Sequence, residues 1–123
     1  MKAKKKFKNI LLIEGNLFFA QKIKDSMDLL GYNLDISNNP DLAMESIKAS
    51  KFDLIILDSS LSRISIKDVV DTVKRNKSSV PVLVTSDNPD LDLKEAALKA
   101  GASDFFLKRF ELDKLLLKIY KLP

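Results

Sequence analysis

The fold is decided by residues 52–58, which read Phe-Asp-Leu-Ile-Ile-Leu-Asp. The four consecutive apolar residues 54–57 are too few for a helix, so they predict a strand that is covered on both faces, as in the middle of a parallel sheet. Open α/β sheets bind their ligands beyond the carboxyl ends of their strands, which makes Asp58 a candidate functional residue. On this stretch alone, an aspartate that only begins a turn explains the pattern equally well.

The composition excludes several classes of function. The chain has 123 residues, which is an ordinary size for one domain with a continuous core. It contains no cysteine and no histidine, so disulfides, thiolate metal sites and hydrolysis by a Ser-His or Cys-His pair are excluded. No apolar run approaches the roughly 20 residues of a membrane span. The N-terminus does not resemble a signal peptide, and a soluble, cytoplasmic protein is therefore expected.

Positive charge is concentrated at the N-terminus, where five of the first eight residues are lysines, and the net charge of the chain is +4. Such a tail can contact nucleic acid or an anionic surface, but the chain lacks the interleaved aromatic and arginine residues of a nucleic-acid groove. Residues 1–8 are predicted to form a solvated basic tail, and residues 9–121 a single domain. Nucleic acid is not an expected partner.

Apolar runs alternate with segments of helical period along the whole chain, which predicts βα units and a parallel sheet. The predicted strands are residues 9–13, 32–37, 54–57, 80–85 and 104–107, and the predicted helices are residues 17–30, 40–49, 66–76, 89–101 and 111–120. Five such units in this order indicate a three-layer α/β/α sandwich.

The helix boundaries carry recognisable capping residues. The predicted N-caps are Asn16, Asn39, Ser65 and Asn88, the predicted first helical residues after two of them are Pro40 and Pro89, and Gly31 and Gly101 close the first and fourth helices. Phe18, Ile23, Met27 and Leu30 are predicted to form the inward face of the first helix. Leu112, Leu115, Leu116 and Ile119 are predicted to do the same in the last helix.

Four chemically active residues follow strands of the predicted sheet: Glu14, Asp58, Ser86 and Lys108. The carboxyl ends of parallel strands meet at one edge, so these side chains are expected to converge there. A phosphoryl-transfer site on a carboxylate needs a nucleophile, an acid that binds a cation, and groups that hold the developing phosphoryl oxygens. Each residue alone has an ordinary structural explanation, but their convergence favours this chemistry.

Over residues 8–120 the chain resembles the receiver domain of two-component response regulators. The resemblance rests on Ile-Leu-Leu-Ile-Glu at 10–14, Phe-Asp-Leu-Ile-Ile-Leu-Asp at 52–58, Val-Pro-Val-Leu-Val-Thr-Ser at 80–86 and Ala-Gly-Ala-Ser-Asp-Phe-Phe-Leu-Lys at 100–108. It implies a flavodoxin-like fold in which a five-stranded parallel sheet has the strand order 2-1-3-4-5.

The resemblance also implies a role for each candidate residue. Asp58 would accept a phosphoryl group from a histidine kinase or a phosphotransfer protein, with the help of Mg²⁺. The implied phosphoryl contacts are Ser86 and Lys108, the implied switch residues are Ser86 and Phe105, and the implied metal ligands are Glu14, Asp58 and the backbone carbonyl of Ser60. The chain would act as a phosphoacceptor that can assist its own phosphorylation and dephosphorylation, not as an enzyme. It would signal through its last two α/β units to a downstream protein, as a monomer or weak dimer.

Several positions depart from the family pattern. Gly15 stands where the family usually has a second acid that binds Mg²⁺ directly, which removes a ligand and weakens the metal site. Arg109 replaces a proline, and Asp87 replaces a small residue beside Ser86. The loop after Asp58 lacks the usual proline and Asp-Gly at Ser62, Ser65 and Ile66. These departures keep open an alternative, a pseudo-receiver that binds a protein partner without phosphorylation.

Overall fold

The computed structural model describes residues 8–49, 51–61, 63–76, 79–87, 90–108 and 112–121. Most of the predicted basic tail, the Asn88-Pro89 pair, Ser62 and Arg109 lie outside the described residues, as does Glu111 at the predicted start of the last helix. Only the backbone of Leu112 is described.

Five strands alternate with five helices in the part of the chain that the structure describes. The strands are β1 (Asn9–Ile13), β2 (Asn33–Ser37), β3 (Leu54–Asp58), β4 (Val82–Ser86) and β5 (Asp104–Leu107). The helices are α1 (Leu17–Leu29), α2 (Pro40–Lys48), α3 (Ile66–Asn76), α4 (Leu91–Lys99) and α5 (Leu112–Lys121). None of these helices is both long enough and apolar enough to cross a membrane.

The strands form one parallel sheet in the order β2-β1-β3-β4-β5, which confirms the predicted fold. Strand β3 lies at its centre, where Ile56 pairs with Leu12 of β1 and Leu83 of β4. All five residues of β3 are buried, as expected for a strand covered on both faces.

The sheet separates two apolar clusters, one on each face. On one face, Ile55 and Leu57 of β3 join a cluster that contains buried side chains of α2, α3 and α4. On the other face, Leu54 and Ile56 join buried side chains of α1 and α5. Because alternate strand residues point to opposite faces, this division produces the three layers.

The predicted inward face of α1 was partly wrong. Met27 is fully buried and Ile23 half-buried, but 76% of Phe18 and 43% of Leu30 are exposed. The buried face instead contains Ala20, which lies seven residues before Met27 and therefore two helical turns away. Phe18 lies two residues before Ala20, about 200° around the helix, so it faces away from the sheet.

Three elements start later than predicted, each for an identifiable reason. Helix α4 begins at Leu91, because Asp90 is its N-cap and accepts a hydrogen bond from the backbone N–H of Asp92. Strand β4 begins at Val82, one residue after Pro81, which has no N–H to donate to a neighbouring strand. Strand β2 begins at Asn33, because the N–H of Tyr32 still bonds to the end of α1.

The other predicted caps are confirmed. The side chain of Asn16 accepts from Phe19 N, that of Asn39 from Asp41 N and Leu42 N, and that of Ser65 from Asp68 N. Gly31 and Gly101 follow α1 and α4 with φ values of 88° and 108°. In α5, the predicted core residues Leu115 and Ile119 are buried and Leu116 is half-buried.

Candidate functional site

The four candidate residues converge at the carboxyl edge of the sheet, as predicted. Glu14 directly follows β1, Asp58 ends β3, Ser86 ends β4 and Lys108 directly follows β5. All four are buried although each is polar or charged. Burial of charged groups is costly unless they are paired, so this edge must contain compensating interactions.

The ammonium of Lys108 lies between the two carboxylates. Its Nζ is 2.7 Å from Glu14 Oε2 and 3.1 Å from Asp58 Oδ2, and only 6% of the lysine side chain is exposed. The pKa of Lys108 is raised, since these two ion pairs outweigh the effect of burial, which would lower it. Lys108 is therefore charged at neutral pH and touches the predicted nucleophile.

The carboxylate of Asp58 accepts hydrogen bonds on both oxygens. Its Oδ1 accepts from the backbone N–H and the hydroxyl of Ser60, at 3.0 and 2.8 Å, and Oδ2 accepts from Gly15 N at 3.4 Å as well as from Lys108. Burial alone would raise the pKa of Asp58, but the hydrogen bonds from Ser60 and the ammonium of Lys108 outweigh it and lower the pKa to about 2. Asp58 is thus ionised at neutral pH, as a nucleophile must be.

The carboxylate of Glu14 is fully buried and only half satisfied. Its Oε2 accepts from Lys108 Nζ and from Asn16 N at 3.0 Å. Its Oε1 has no hydrogen-bond partner among the described residues. Burial raises the pKa of Glu14, and the hydrogen bonds from Lys108 and Asn16 oppose the rise without cancelling it.

The edge contains oxygen ligands suited to a divalent cation such as Mg²⁺. The unpartnered Oε1 of Glu14 is a hard oxygen ligand, and the ionised carboxylate of Asp58 provides further oxygen ligands beside it. Gly15 adds no side-chain oxygen, and no group of three or more acidic side chains that could hold a metal occurs in the described residues. The residues therefore fit a divalent cation, but with few protein ligands.

The two predicted switch residues lie on neighbouring strands. Ser86 and Phe105 are both buried, at 4% and 7% exposure. In the pairing of β4 with β5, Phe105 is opposite Val84, and Ser86 is opposite Leu107. The adjacent Thr85 hydroxyl donates to the carbonyl of Leu57 at 3.4 Å. The Thr85 hydroxyl is therefore hydrogen-bonded within the sheet, and the choice of Ser86 as the hydroxyl of the site stays a prediction.

The structure adds three contacts that the sequence did not predict. The hydroxyl of Ser60 bonds to Asp58, whereas only its backbone carbonyl was a predicted ligand. The backbone of Asn16 bonds to Glu14, and the ring centroid of Phe19 lies 5.6 Å from Lys108 Nζ. The Ser60 contact could have been predicted from the sequence, because a serine two residues after an aspartate often closes a local turn by hydrogen bonding to it. Phe19 has no such signal, because its contact joins distant parts of the chain.

Comparison with known proteins gives a consistent result. A family model described as the response regulator receiver domain matches residues 10–120. The cell cycle transcriptional regulator CtrA of Caulobacter vibrioides is 29% identical over 111 residues, which cover 90% of this chain and 48% of CtrA. The chain therefore spans about half the length of this curated relative.

Two solved structures share the fold. One is a response regulator from Burkholderia pseudomallei with a phosphorylated aspartic acid and a calcium ion; it has a TM-score of 0.81 and 24% identity, over 91% of this chain and 66% of that one. The other is the receiver domain of the sensor histidine kinase PA1611 from Pseudomonas aeruginosa, with a magnesium ion in its active site cleft. It has a TM-score of 0.81 and 22% identity, over 94% of this chain and 96% of that one.

Proposed function

Because this chain belongs to the family of response regulator receiver domains, we propose that it receives a phosphoryl group on the carboxylate of Asp58. The observation that carries this assignment is the position of the Lys108 ammonium, 3.1 Å from Asp58 Oδ2 in a buried site. A cation at this place can stabilise negative charge that develops next to the nucleophile.

In the proposed reaction, a carboxylate oxygen of Asp58 attacks the phosphorus of a donor. The new P–O bond forms while the bond from phosphorus to the donor's leaving atom breaks, and the donor leaves with that electron pair. Lys108 and Ser86 would contact the equatorial phosphoryl oxygens. The ionised state of Asp58 means that no general base is needed, which agrees with a chain that has no histidine.

We propose that Glu14, Asp58 and the backbone carbonyl of Ser60 hold Mg²⁺ when it binds. The metal would supply positive charge against the phosphoryl oxygens and the two acids. The receiver domain of PA1611, which has a magnesium ion in its active site cleft, supports this assignment, and the structure of the Burkholderia response regulator also contains a calcium ion. Gly15 leaves the site one carboxylate short of the family pattern, so we expect weak binding.

The test is a measurement of intact mass after incubation with acetyl phosphate and Mg²⁺. We expect the wild type to gain one phosphoryl group and the Asp58→Ala protein to gain none. Asp87→Asn, which changes an exposed acid beside Ser86, is the matched control and should still be modified. If Asp58→Ala were modified, the assignment of the acceptor would be wrong. An unmodified wild type would favour the phosphorylation-independent binding module.

We further propose a histidine kinase or a phosphotransfer protein as the donor, and a downstream protein as the receiver of the signal. The last two α/β units expose large apolar side chains that a protein partner could cover: Leu91, Leu98, Leu117 and Tyr120. Binding of a candidate partner should differ between the protein with and without acetyl phosphate. The expected cytoplasmic location and the monomer or weak dimer stay predictions.

A further inference from the structure

Lys108 also contacts the ring of Phe19. Neither the proposed phosphoryl transfer nor the family pattern requires this contact. The ring centroid lies 5.6 Å from Lys108 Nζ, within the roughly 6 Å over which a cation and an aromatic face attract each other. Phe19 is half-buried, and the lysine side chain is 6% exposed. Water therefore screens this attraction little, and it is stronger than the same contact on a surface.

A closed series of contacts fixes Phe19 relative to the site. The N–H of Phe19 bonds to the side chain of Asn16 at 3.0 Å, and the N–H of Asn16 bonds to Glu14 Oε2 at 3.0 Å. The same Oε2 accepts from Lys108 Nζ at 2.7 Å, and Nζ lies beside the Phe19 ring. The capped first turn of α1 thus holds both the Phe19 ring and the Glu14 carboxylate next to the Lys108 ammonium.

We propose that Phe19 is a positioning residue for Lys108. This inference rests on the proposed function, since it concerns how the ammonium is presented to a phosphoryl group on Asp58. An aromatic face attracts the whole charge of an ammonium and does not require a directed N–H bond. Lys108 can therefore exchange its acceptors between the carboxylates and phosphoryl oxygens while the ring keeps Nζ at the site.

The neighbouring Phe18 provides a control within the same helix. Its ring lies 5.3 Å from Lys22 Nζ, so it makes the same type of contact. However, Phe18 is 76% exposed and the pair lies on the surface. Loss of Phe18 removes an aromatic ring and a cation contact of α1 without changing the surroundings of Lys108.

The first experiment observes Lys108 directly and needs no phosphoryl donor. In NMR spectra, the Hε and Nζ resonances of Lys108 in the wild type should show the shift that a nearby ring produces. We expect Phe19→Leu to abolish this shift and Phe19→Tyr to keep it, while Phe18→Leu leaves it unchanged. Identical Lys108 resonances in wild type and Phe19→Leu would overturn the proposal.

The second experiment measures the rate of phosphorylation by acetyl phosphate with saturating Mg²⁺. We expect Phe19→Leu to be about tenfold slower, which is the scale of one desolvated cation–π contact. Phe19→Tyr should restore the rate to within about twofold of the wild type, and Phe18→Leu should have the wild-type rate. Urea unfolding would first establish that both Phe19 variants are folded. If Phe19→Tyr were then phosphorylated as slowly as Phe19→Leu, the positioning role would be overturned.

The two experiments separate the two proposals. If the wild type gained no phosphoryl group, the proposed function would fail, and the resonances of Lys108 would still decide whether Phe19 positions the ammonium. If the wild type were phosphorylated and Phe19→Leu were phosphorylated at the same rate, the proposed function would be supported and the positioning role of Phe19 would be wrong.

Discussion

At the scale of single residues, the site is governed by the ionisation of Asp58. Its carboxylate is buried. It accepts two hydrogen bonds from Ser60 and forms an ion pair with Lys108. Each of these interactions favours the charged form, and together they lower its pKa to about 2 in spite of burial. The folded state therefore stabilises the ionised form of Asp58 more than the unfolded state does.

This difference predicts a pH-dependent contribution to stability. Because the pKa falls from 3.8 to about 2 on folding, the contribution is complete above about pH 4 and is lost as the pH falls through about 2. We expect Asp58→Asn to be about 2 kcal/mol less stable than wild type at pH 7, with the gap closing towards pH 2.

Urea unfolding at several pH values, in the absence of divalent cations, would measure this gap. Asp35→Asn, which changes an exposed strand residue, should unfold like the wild type at pH 7. An Asp58→Asn protein that is equally or more stable at pH 7 would show that repulsion between Glu14 and Asp58 dominates the site instead.

A second prediction at this scale concerns Gly15. A Cβ atom here would lie 3.8 Å from Asp58 Oδ2 and 3.1 Å from Leu61 Cδ2, the end of a flexible side chain. Gly15→Asp can therefore place a carboxylate beside Asp58 after a small movement of Leu61. We expect Mg²⁺ to bind about tenfold more tightly and Asp58 to be phosphorylated faster, because the metal gains a ligand and a charge.

Titration with Mg²⁺ while following the amide resonances near Asp58 would measure the affinities. Gly15→Ala adds the same Cβ without oxygen and should bind Mg²⁺ like the wild type. Without metal, Gly15→Asp should be destabilised, since three acids would face one lysine. Equal affinities in Gly15→Asp and wild type would mean that the pocket does not bind metal in the way proposed.

At the scale of elements, the turn between α4 and β5 places Lys108. Gly101 has a φ of 108°, and its N–H and that of Ala102 bond to Leu98 O and Ala97 O at the end of α4. Strand β5 begins two residues after Ala102, at Asp104, and it ends at the residue before Lys108. The ammonium reaches the carboxylates only if this turn closes tightly.

Gly101→Ala should therefore destabilise the protein by at least about 2 kcal/mol. An L-residue at this φ is strained, which costs roughly 1–2 kcal/mol. In addition, a Cβ atom would lie 2.7 Å from Val70 Cγ1, on a buried and conformationally stiff side chain of α3. Urea unfolding would measure the loss. Gly15→Ala, where φ is not positive, should change stability much less, and equal losses in the two proteins would contradict the argument.

At the scale of the whole molecule, the buried charges connect three strands. Glu14 follows β1, Asp58 ends β3 and Lys108 follows β5, and the ion pair between Glu14 and Lys108 joins residues 94 positions apart in the chain. Two acids and one ammonium depend on each other in a site that excludes most water. Removal of the only cation among them leaves uncompensated buried charge.

This dependence predicts strong coupling between distant residues. Lys108→Met should cost about 3–5 kcal/mol at neutral pH, because both carboxylates lose their partner. In the Lys108→Met protein, Glu14→Gln should lower the free energy of unfolding little or raise it. In the wild type we expect the same substitution to lower it. A double-mutant cycle measured by urea unfolding would detect the coupling. Additive effects of the two substitutions would show that the ion pair does not stabilise the fold.

The sequence by itself determined the fold and which candidate residues lie at one edge of the sheet. The apolar run at 54–57 and the alternation of strands and helices predicted the layered parallel sheet, because hydrophobic periodicity and helix caps are local properties of the chain. Strand ends meet at one edge in such a sheet, so Glu14, Asp58, Ser86 and Lys108 could be placed together without coordinates.

Only the tertiary structure decided how these residues interact. The sequence could not show that the Lys108 ammonium lies between both carboxylates, or that Glu14 Oε1 lacks a partner, since these facts depend on side chains from strands distant in sequence. It also assigned the wrong phenylalanine to the interior. Phe18 and Phe19 differ by one position and by about 100° around α1, and the packing of that helix on the sheet decides which ring reaches Lys108.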